Sequence, residues 1–491
     1  MNLETLRMWI DGAWVEARSG ATFESFNPAT GEPWSTLPQA DEHDVDLAVQ
    51  AAQRAFESPE WTTLTATARG KLLHRLGELI AENAEQLAQL ESRDNGKLIR
   101  ETRGQLGYLP EFFYYNAGLA DKVAGETLPL DKPDMFGATM RVPLGVVAAI
   151  IPWNSPLYLT ALKLAPALAA GNTVVIKPSE HASASLIGLM RLIEQAGFPR
   201  GVVNLVTGFG DTGAALTRHP LVRKIAFTGG AGAARHVVHN SAENFAKLSL
   251  ELGGKSPNIL FEDADLDSAI NGVVAGVFAA SGQSCVAGSR LLVQRSIHDD
   301  VVERLRERAG TIVIGDPSDN ATEMGPIATQ AQLESIESMV QRAQADGARL
   351  IYGGQRAERR QGWYYTPTIL ACDRHDLPIM QEEVFGPVVT VIPFDDEAEA
   401  LRLANDTAFG LAAGIWTRDL ARAHRLSRDV RAGILWVNTY RAVSAMAPIG
   451  GFGASGYGRE GGIESVHDYT ELKTLWINLS SQPMPDPFIM R

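Results

Sequence analysis

The sequence predicts an α/β protein, and three observations carry that expectation. Five short apolar runs, GVVAAII, TVVIK, VVNLV, KIAFT and PNILF, lie between Gly145 and Phe261. Ala- and Leu-rich stretches of helical period separate the first four, the pattern of a parallel sheet covered on both faces by helices. After residue 262 the alternation resumes with LLVQRS, a charged helix from about 298, VFGPVVTVIPF, LAAGIWT and GILWVN. The first region reads as a doubly wound domain and the second as a further α/β domain. A chain of 491 residues has room for about three such units.

Before the sheet, residues 43–57 and about 65–100 read as amphipathic helices that cover it. Leu72, Leu73, Leu76, Leu79 and Ile80 are spaced for one buried face. Sheets of this kind bind ligands beyond the carboxyl ends of their strands, so chemistry is expected in the loops PWNSP, KPSEH, TGFGDTG and FTGGAG. The Gly-rich GGFGASGYGREGG at 450–462 is too short and too aromatic for a low-complexity linker, and the chain shows no internal repeat.

Composition narrows the partners. With 45% hydrophobic and 21% charged residues the chain has the make-up of a globular protein. A formal net charge of −14, with no block of Lys and Arg, argues against nucleic acid or an anionic membrane as partner. The long uncharged span from Arg141 to Lys163 is broken by Pro143, Pro152, Asn154 and Pro156, which fits a buried strand, turn and helix rather than a membrane span. Two cysteines cannot form a disulfide framework, and the N-terminus has neither signal-peptide nor transit-peptide character; a cytoplasmic location is expected. The ten histidines show no ligand spacing such as H-E-x-x-H, so no metal is assigned.

Three candidate sites are ambiguous when taken singly. Cys285, in GQSCVAGSR, is either a small packing residue or a nucleophile whose slight neighbours leave an open approach and free backbone N–H groups. TGFGDTG holds G-x-G-x-x-G at Gly208, Gly210 and Gly213, but residues 226–240 lack the acid that a dinucleotide fingerprint places about 20 residues downstream. It is a fingerprint in reduced form or a tight strand-to-helix turn. Gly229 and Gly230 of FTGG open a helix able to face a pyrophosphate, and Lys177 and Glu180 of KPSE can hold ribose hydroxyls or form a solvated pair.

Together the motifs PWNSP, KPSE, FTGG, ELGGKSPNI, GQSC and EEVFGPV, in that order, resemble the NAD(P)-dependent aldehyde dehydrogenases of the hydrolytic, non-acylating type, from about residue 8 to about 480. The resemblance implies a Rossmann-type cofactor domain (1–121 and 143–252), an α/β catalytic domain (253–469) and a small oligomerisation β-element (122–142 and 470–491). It makes Cys285 the nucleophile, Glu251 the general base and Asn154 a donor to the oxyanion. For the cofactor it implies Ile151, Pro152, Trp153, Lys177, Glu180, Gly210, Gly229, Gly230, Leu252, Glu383 and Phe385. Glu180 would repel a 2′-phosphate, so NAD is expected, with NADP the second choice. A homodimer or homotetramer is also implied, with the period-two ELKTLWINL as a strand that pairs between subunits.

Some positions depart from that pattern. Ala234 stands where Gly is usual, and Gly230 where Ser is common. Ser155, Leu159 and Leu162 fall where many relatives place aromatic or larger side chains along the aldehyde tunnel, which implies a wider or more polar entrance. The segment NTYRAVSAMAP forms the tunnel mouth in relatives and contributes Arg441 and Val443, with Ile449 a further substrate residue beyond it; Arg441 can pair with a substrate carboxylate, as in a semialdehyde, or lie exposed. Two rivals remain at this stage: a coenzyme A-acylating aldehyde dehydrogenase, which has no need of a water-activating base, and a silent structural homologue, which has no need to keep Cys285, Glu251 and Asn154 together.

Overall fold

A computed structural model describes residues 3–358, 361–484 and 486–489. Positions 1, 2, 359, 360, 485, 490 and 491 of the expected units lie outside the described residues. The first large sheet has eight strands in the order Gly456–Tyr457, Lys247–Glu251, Val222–Thr228, Val146–Ile151, Thr173–Pro178, Val203–Leu205, Met8–Ile10 and Ala13–Val15. Five of them, from Lys247–Glu251 to Val203–Leu205, are parallel neighbours. Their runs are almost wholly buried because helices cover both faces. From Val146–Ile151 the chain builds outward first through Thr173–Pro178 and Val203–Leu205, then on the other side through Val222–Thr228 and Lys247–Glu251. That reversal is a topological switch point, and it leaves a crevice at the carboxyl ends of Val146–Ile151 and Val222–Thr228.

One strand falls elsewhere than its apolar run suggests. PNILF does not extend the first sheet; Pro257–Leu260 is a central strand of the second, and Lys247–Glu251, exposed only at its Lys247 end, takes the place in the first. The apolar character of a run reports burial but not the sheet that buries it. Gly253 and Gly254 make the transfer between sheets, at positions where a side chain would meet Glu383 and the Cys285 carbonyl. The second sheet runs Arg349–Tyr352, Thr368–Ala371, Val388–Phe394, Arg290–Gln294, Pro257–Leu260, Ala412–Trp416 and Ile434–Val437, parallel except at the Arg349–Tyr352 edge.

The helical region before the sheet divides more finely than its periodicity suggests. Glu42–Glu57 starts from a capping box at Asp41 and Asp44. The stretch expected at 65–100 is two helices, Ala66–Glu82 and Ala84–Asn95, and the second ends at Gly96 in the left-handed region (φ +77°). Helix Ile99–Leu119 then packs across Ala66–Glu82. Leu73, Leu76, Leu79 and Ile80 are buried and Leu72 half-buried, each buried side chain stabilising the fold by about 1.5–3 kcal/mol. A separate sheet pairs Met135–Pro143 with Thr470–Asn478 antiparallel over nine residues, with Thr127–Leu128 on its far side.

Candidate active site at the sheet switch point

The site grows from the loops that follow Val146–Ile151, Val222–Thr228 and Lys247–Glu251. Around them lies a cavity of about 470 Å³ whose walls include Asn154, Glu251 and Cys285, brought from three distant segments. The cysteine loop is shaped by strained backbone: Ala280, Ser281 and Gly282 have φ of +51°, +53° and +70°. A side chain at Gly282 would strike the Gly386 carbonyl at 2.1 Å, so only glycine lets this loop lie on the FGP turn. Asn154 is tied to the same loop, its amide donating to the Gln283 carbonyl at 3.1 Å. An amide carries two hydrogens, so one remains for the cavity.

Burial and two carboxylates dominate the electrostatics. Burial pushes the Cys285 thiol up to about 12, with Glu383 and Glu251 adding to the effect and the Val286 and Cys285 backbone N–H groups opposing it. Without a cation beside it the sulfur is therefore a thiol, not a thiolate. Glu251 is buried, and its Oε1 has no hydrogen-bond partner among the described residues. Burial first, then the neighbouring Glu460, holds its carboxyl well above the usual range, while Lys163 and Arg459 pull the other way. A buried carboxyl oxygen left unpaired costs about 1–3 kcal/mol, a cost that a bound water or substrate would relieve.

Sequence reasoning missed the charges behind Glu251. Lys163, wholly buried in helix Pro156–Ala169, donates to Glu460 at 2.5 Å and to Thr228 at 2.6 Å. Thr228 is the ladder partner of Glu251, and Glu460 also reaches the cavity. A single lysine in the otherwise apolar helix PLYLTALKLAPALA was the available signal, as was a carboxylate among the glycines of GREGG. Just before that motif glycine is also required, because Gly456 (φ +100°) pairs with Glu251 and a side chain there would meet the Leu250 carbonyl at 2.0 Å. Ser455 completes the tie by donating to the Gly253 carbonyl at 2.7 Å.

The residues expected to hold the cofactor mostly follow the carboxyl ends of the first sheet's strands. Ile151 ends its strand, and its carbonyl accepts from the Ser179 N–H at 2.7 Å. Pro152 and Trp153 lead away from it, with Trp153 edge-on to Phe385 at 5.2 Å. Lys177 lies 3.6 Å from Glu180, which stands beyond the end of Thr173–Pro178, and a side chain added at Gly213, one turn into the helix that Gly210 opens, would come 4.0 Å from Lys177. Gly230 precedes helix Ala231–Ser241, whose first N–H groups receive no side-chain cap, and open space surrounds the position a side chain would take. Gly229 is tied to the Glu251 carbonyl at 3.1 Å, and Leu252 to the Ser455 carbonyl at the same distance. Glu383 accepts from the Gly254 N–H at 3.0 Å, and burial raises it to about 7. An uncapped helix N-terminus, a cation–carboxylate pair and a buried acceptor together suit the pyrophosphate and two riboses of a dinucleotide.

All six expected substrate residues, Ser155, Leu159, Leu162, Arg441, Val443 and Ile449, lie on the walls of the cavity. Arg441 is half-buried, has φ +61° and donates to the Ala275 carbonyl at 3.1 Å. Among the described residues no group of three or more His, Cys, Asp or Glu stands where it can hold a metal ion. Among the described residues no helix is long and apolar enough to cross a membrane.

A doubly wound dinucleotide-type sheet facing a cavity with cysteine, carboxylate and amide defines an oxidoreductase of the covalent-nucleophile class. The aldehyde dehydrogenase family model matches residues 14–475, and the chain belongs to that family. It is 52% identical over 491 residues, covering both chains fully, to (Z)-2-((N-methylformamido)methylene)-5-hydroxybutyrolactone dehydrogenase of Acinetobacter baylyi. It is 42% identical to betaine aldehyde dehydrogenase of Sinorhizobium fredii, over 97% of this chain and 98% of that one. Among solved structures, betaine aldehyde dehydrogenase of Staphylococcus aureus in complex with NAD+ superposes with a TM-score of 0.97 at 39% identity, covering 99% of this chain and 97% of that one. PnpE in complex with nicotinamide adenine dinucleotide gives 0.95 at 44%, covering 98% and 99%.

Proposed function

We propose that this protein oxidises an aldehyde to its carboxylic acid with NAD+, through a covalent adduct on Cys285. The observation that carries the reading is one cavity walled by Cys285, by Asn154 with an amide hydrogen to spare, and by Glu251 with an unpaired oxygen. Glu251 takes the thiol proton, directly or through water, and the sulfur attacks the aldehyde carbon. The Asn154 amide and the Cys285 backbone N–H hold the resulting oxyanion, each donor contributing about 3–4 kcal/mol in comparable sites. Collapse of this thiohemiacetal expels hydride and leaves a thioester. Bound NAD+ supplies the hydride acceptor and a positive ring that favours the thiolate. Glu251 releases the thiol proton to solvent and then draws a proton from water; the hydroxide attacks the thioester, the C–S bond breaks to release the acid, and Glu251 returns its proton to the departing sulfur. An unpaired Glu251 oxygen on the cavity favours water over coenzyme A as acyl acceptor.

Lys177 and Glu180 serve the adenosine ribose, the N-terminus after Gly230 the pyrophosphate, and Glu383 with Phe385 the nicotinamide ribose. Glu180 disfavours a 2′-phosphate by like-charge repulsion, so NAD+ is preferred to NADP+. The substrate is read as an aldehyde bearing a carboxylate. The 5-hydroxybutyrolactone in the Acinetobacter relative's name is the ring-closed form of such a molecule, and Arg441 stands on the cavity wall to meet the anion.

We assign residues 1–121 and 143–252 to cofactor binding, 253–469 to catalysis, and 122–142 with 470–491 to assembly. Leu472, Leu475, Trp476 and Ile477 are exposed on the outer strand of the small sheet, whose free edge invites a second copy as homodimer or homotetramer. Two free cysteines suit the reducing cytoplasm. The test is NADH formation across neutral, aromatic and carboxylate-bearing aldehydes, for wild type and Cys285→Ala, with product analysis with and without coenzyme A. Activity in wild type alone and a free acid product are expected; full activity in the mutant overturns the covalent mechanism.

A further inference from the structure

Resting on that reading of the cavity, a second set of polar residues on its wall has a chemistry of its own. Ser155 immediately precedes helix Pro156–Ala169, the place where serine usually caps, yet its side chain makes no cap. Its oxygen instead accepts from Lys97 at 2.6 Å. Lys97 is itself buried and also donates to the Gln105 side-chain oxygen at 2.9 Å, with Glu91 further off at 3.5 Å. An ammonium can only donate. The atoms facing it must therefore be oxygens, which settles the orientation of the Gln105 amide and leaves Ser155 with a hydroxyl hydrogen and Gln105 with two amide hydrogens. Among the described residues neither group donates to a protein acceptor, and both line the cavity with Cys285 and Arg441.

We propose that Ser155 and Gln105, oriented by Lys97, form a donor pair that selects aldehydes carrying a carboxylate close to the reacting carbon. Serine and glutamine can ordinarily donate or accept; with one lone pair of each oxygen taken by Lys97, their free hydrogens are what they chiefly offer the cavity. Such a wall binds oxygen acceptors and leaves an apolar substrate facing unpaired polar groups, which discriminates against it. The carboxylate binds near the reaction because Ser155 adjoins Asn154 in the chain, their Cα atoms about 3.8 Å apart. Ser155 and Gln105 are specificity residues, and Lys97 is a positioning residue that acts through them. Arg441 supplies charge on the same cavity, and its field reaches Lys97.

The experiment compares succinate semialdehyde with butanal, for wild type, Ser155→Ala and Ser155→Thr. The readout is the ratio of the two kcat/KM values. Loss of one charge-assisted donor lowers that ratio about tenfold in Ser155→Ala, chiefly through KM for the acid, and threonine restores it. An unchanged ratio, or a ratio that threonine fails to restore, overturns the proposal. Protection of Cys285 from iodoacetamide by the two aldehydes gives a second readout that needs no hydride transfer. If wild type forms no NADH, the oxidation reading fails separately. Preferential protection by the semialdehyde that is lost in Ser155→Ala still supports the donor pair, and equal protection by both aldehydes overturns it.

Discussion

Gly253→Ala is the sharpest test of the cofactor half of the site. A Cβ at this position would lie 1.9 Å from Oε2, 2.6 Å from Cδ and 2.9 Å from Oε1 of Glu383. Non-bonded heavy atoms are comfortable at about 3.5 Å or more, so the carboxylate must retreat by more than 1 Å, roughly speaking. It is the free end of a flexible side chain and yields before the backbone does. The retreat breaks its 3.0 Å bond to the Gly254 N–H and removes the acceptor from the nicotinamide ribose. A hydrogen bond to a charged group is worth about 1.5–3 kcal/mol, which converts to a rise of about 10- to 100-fold in KM for NAD+. The assay is initial NADH formation at saturating aldehyde over a range of NAD+, with thermal unfolding as the check on integrity. Gly118→Ala, on an exposed helix position with open space around it, is the matched control. An unchanged KM for NAD+ in a folded Gly253→Ala protein would refute the role given to Glu383.

The other expectations concern base, charge and assembly. Glu251 has its carboxyl raised, so it gains basicity only as pH rises: both thiol activation and thioester hydrolysis should speed up with pH, and Glu251→Gln should slow the first NADH turnover and the steady state alike by at least ~100-fold, as rapid-quench kinetics would show. Glu383, raised to about 7, is protonated below that value and accepts fewer ribose hydroxyls; KM for NAD+ should therefore fall as pH climbs through 7, and a flat profile counts against it. Arg441→Ala should raise KM for an acidic aldehyde about tenfold with little change for a neutral one, in steady-state kinetics. Trp476→Asp on the exposed strand should shift the assembly towards monomer in sedimentation velocity; an undisturbed oligomer would place the interface elsewhere.

Much of this protein is legible along the chain, because burial on both faces, helical period and glycine at a turn are local signals. The strands at Val146–Ile151, Thr173–Pro178, Val203–Leu205 and Val222–Thr228 follow the apolar runs, whereas Cys285 among its small neighbours reads as packing or as nucleophile until the motif order is considered. Motif order pointed to the family before any contact was known. What the chain order does not contain is which distant segments meet. PNILF has the same apolar character as its neighbours but enters the other sheet, since pairing register is set by tertiary closure. Glu460 lies 209 positions from Glu251 and acts on it only because Gly456–Tyr457 pairs with the Lys247–Glu251 strand. Lys97 lies 58 positions before Ser155, and only their contact in space occupies the hydroxyl oxygen and leaves its hydrogen for the cavity. Sequence alone determined most of the elements and singled out the candidate side chains. Tertiary structure decided their pairing, their protonation and the polarity of the substrate wall, because Coulomb and hydrogen-bond terms depend on distances in space and on exclusion of water.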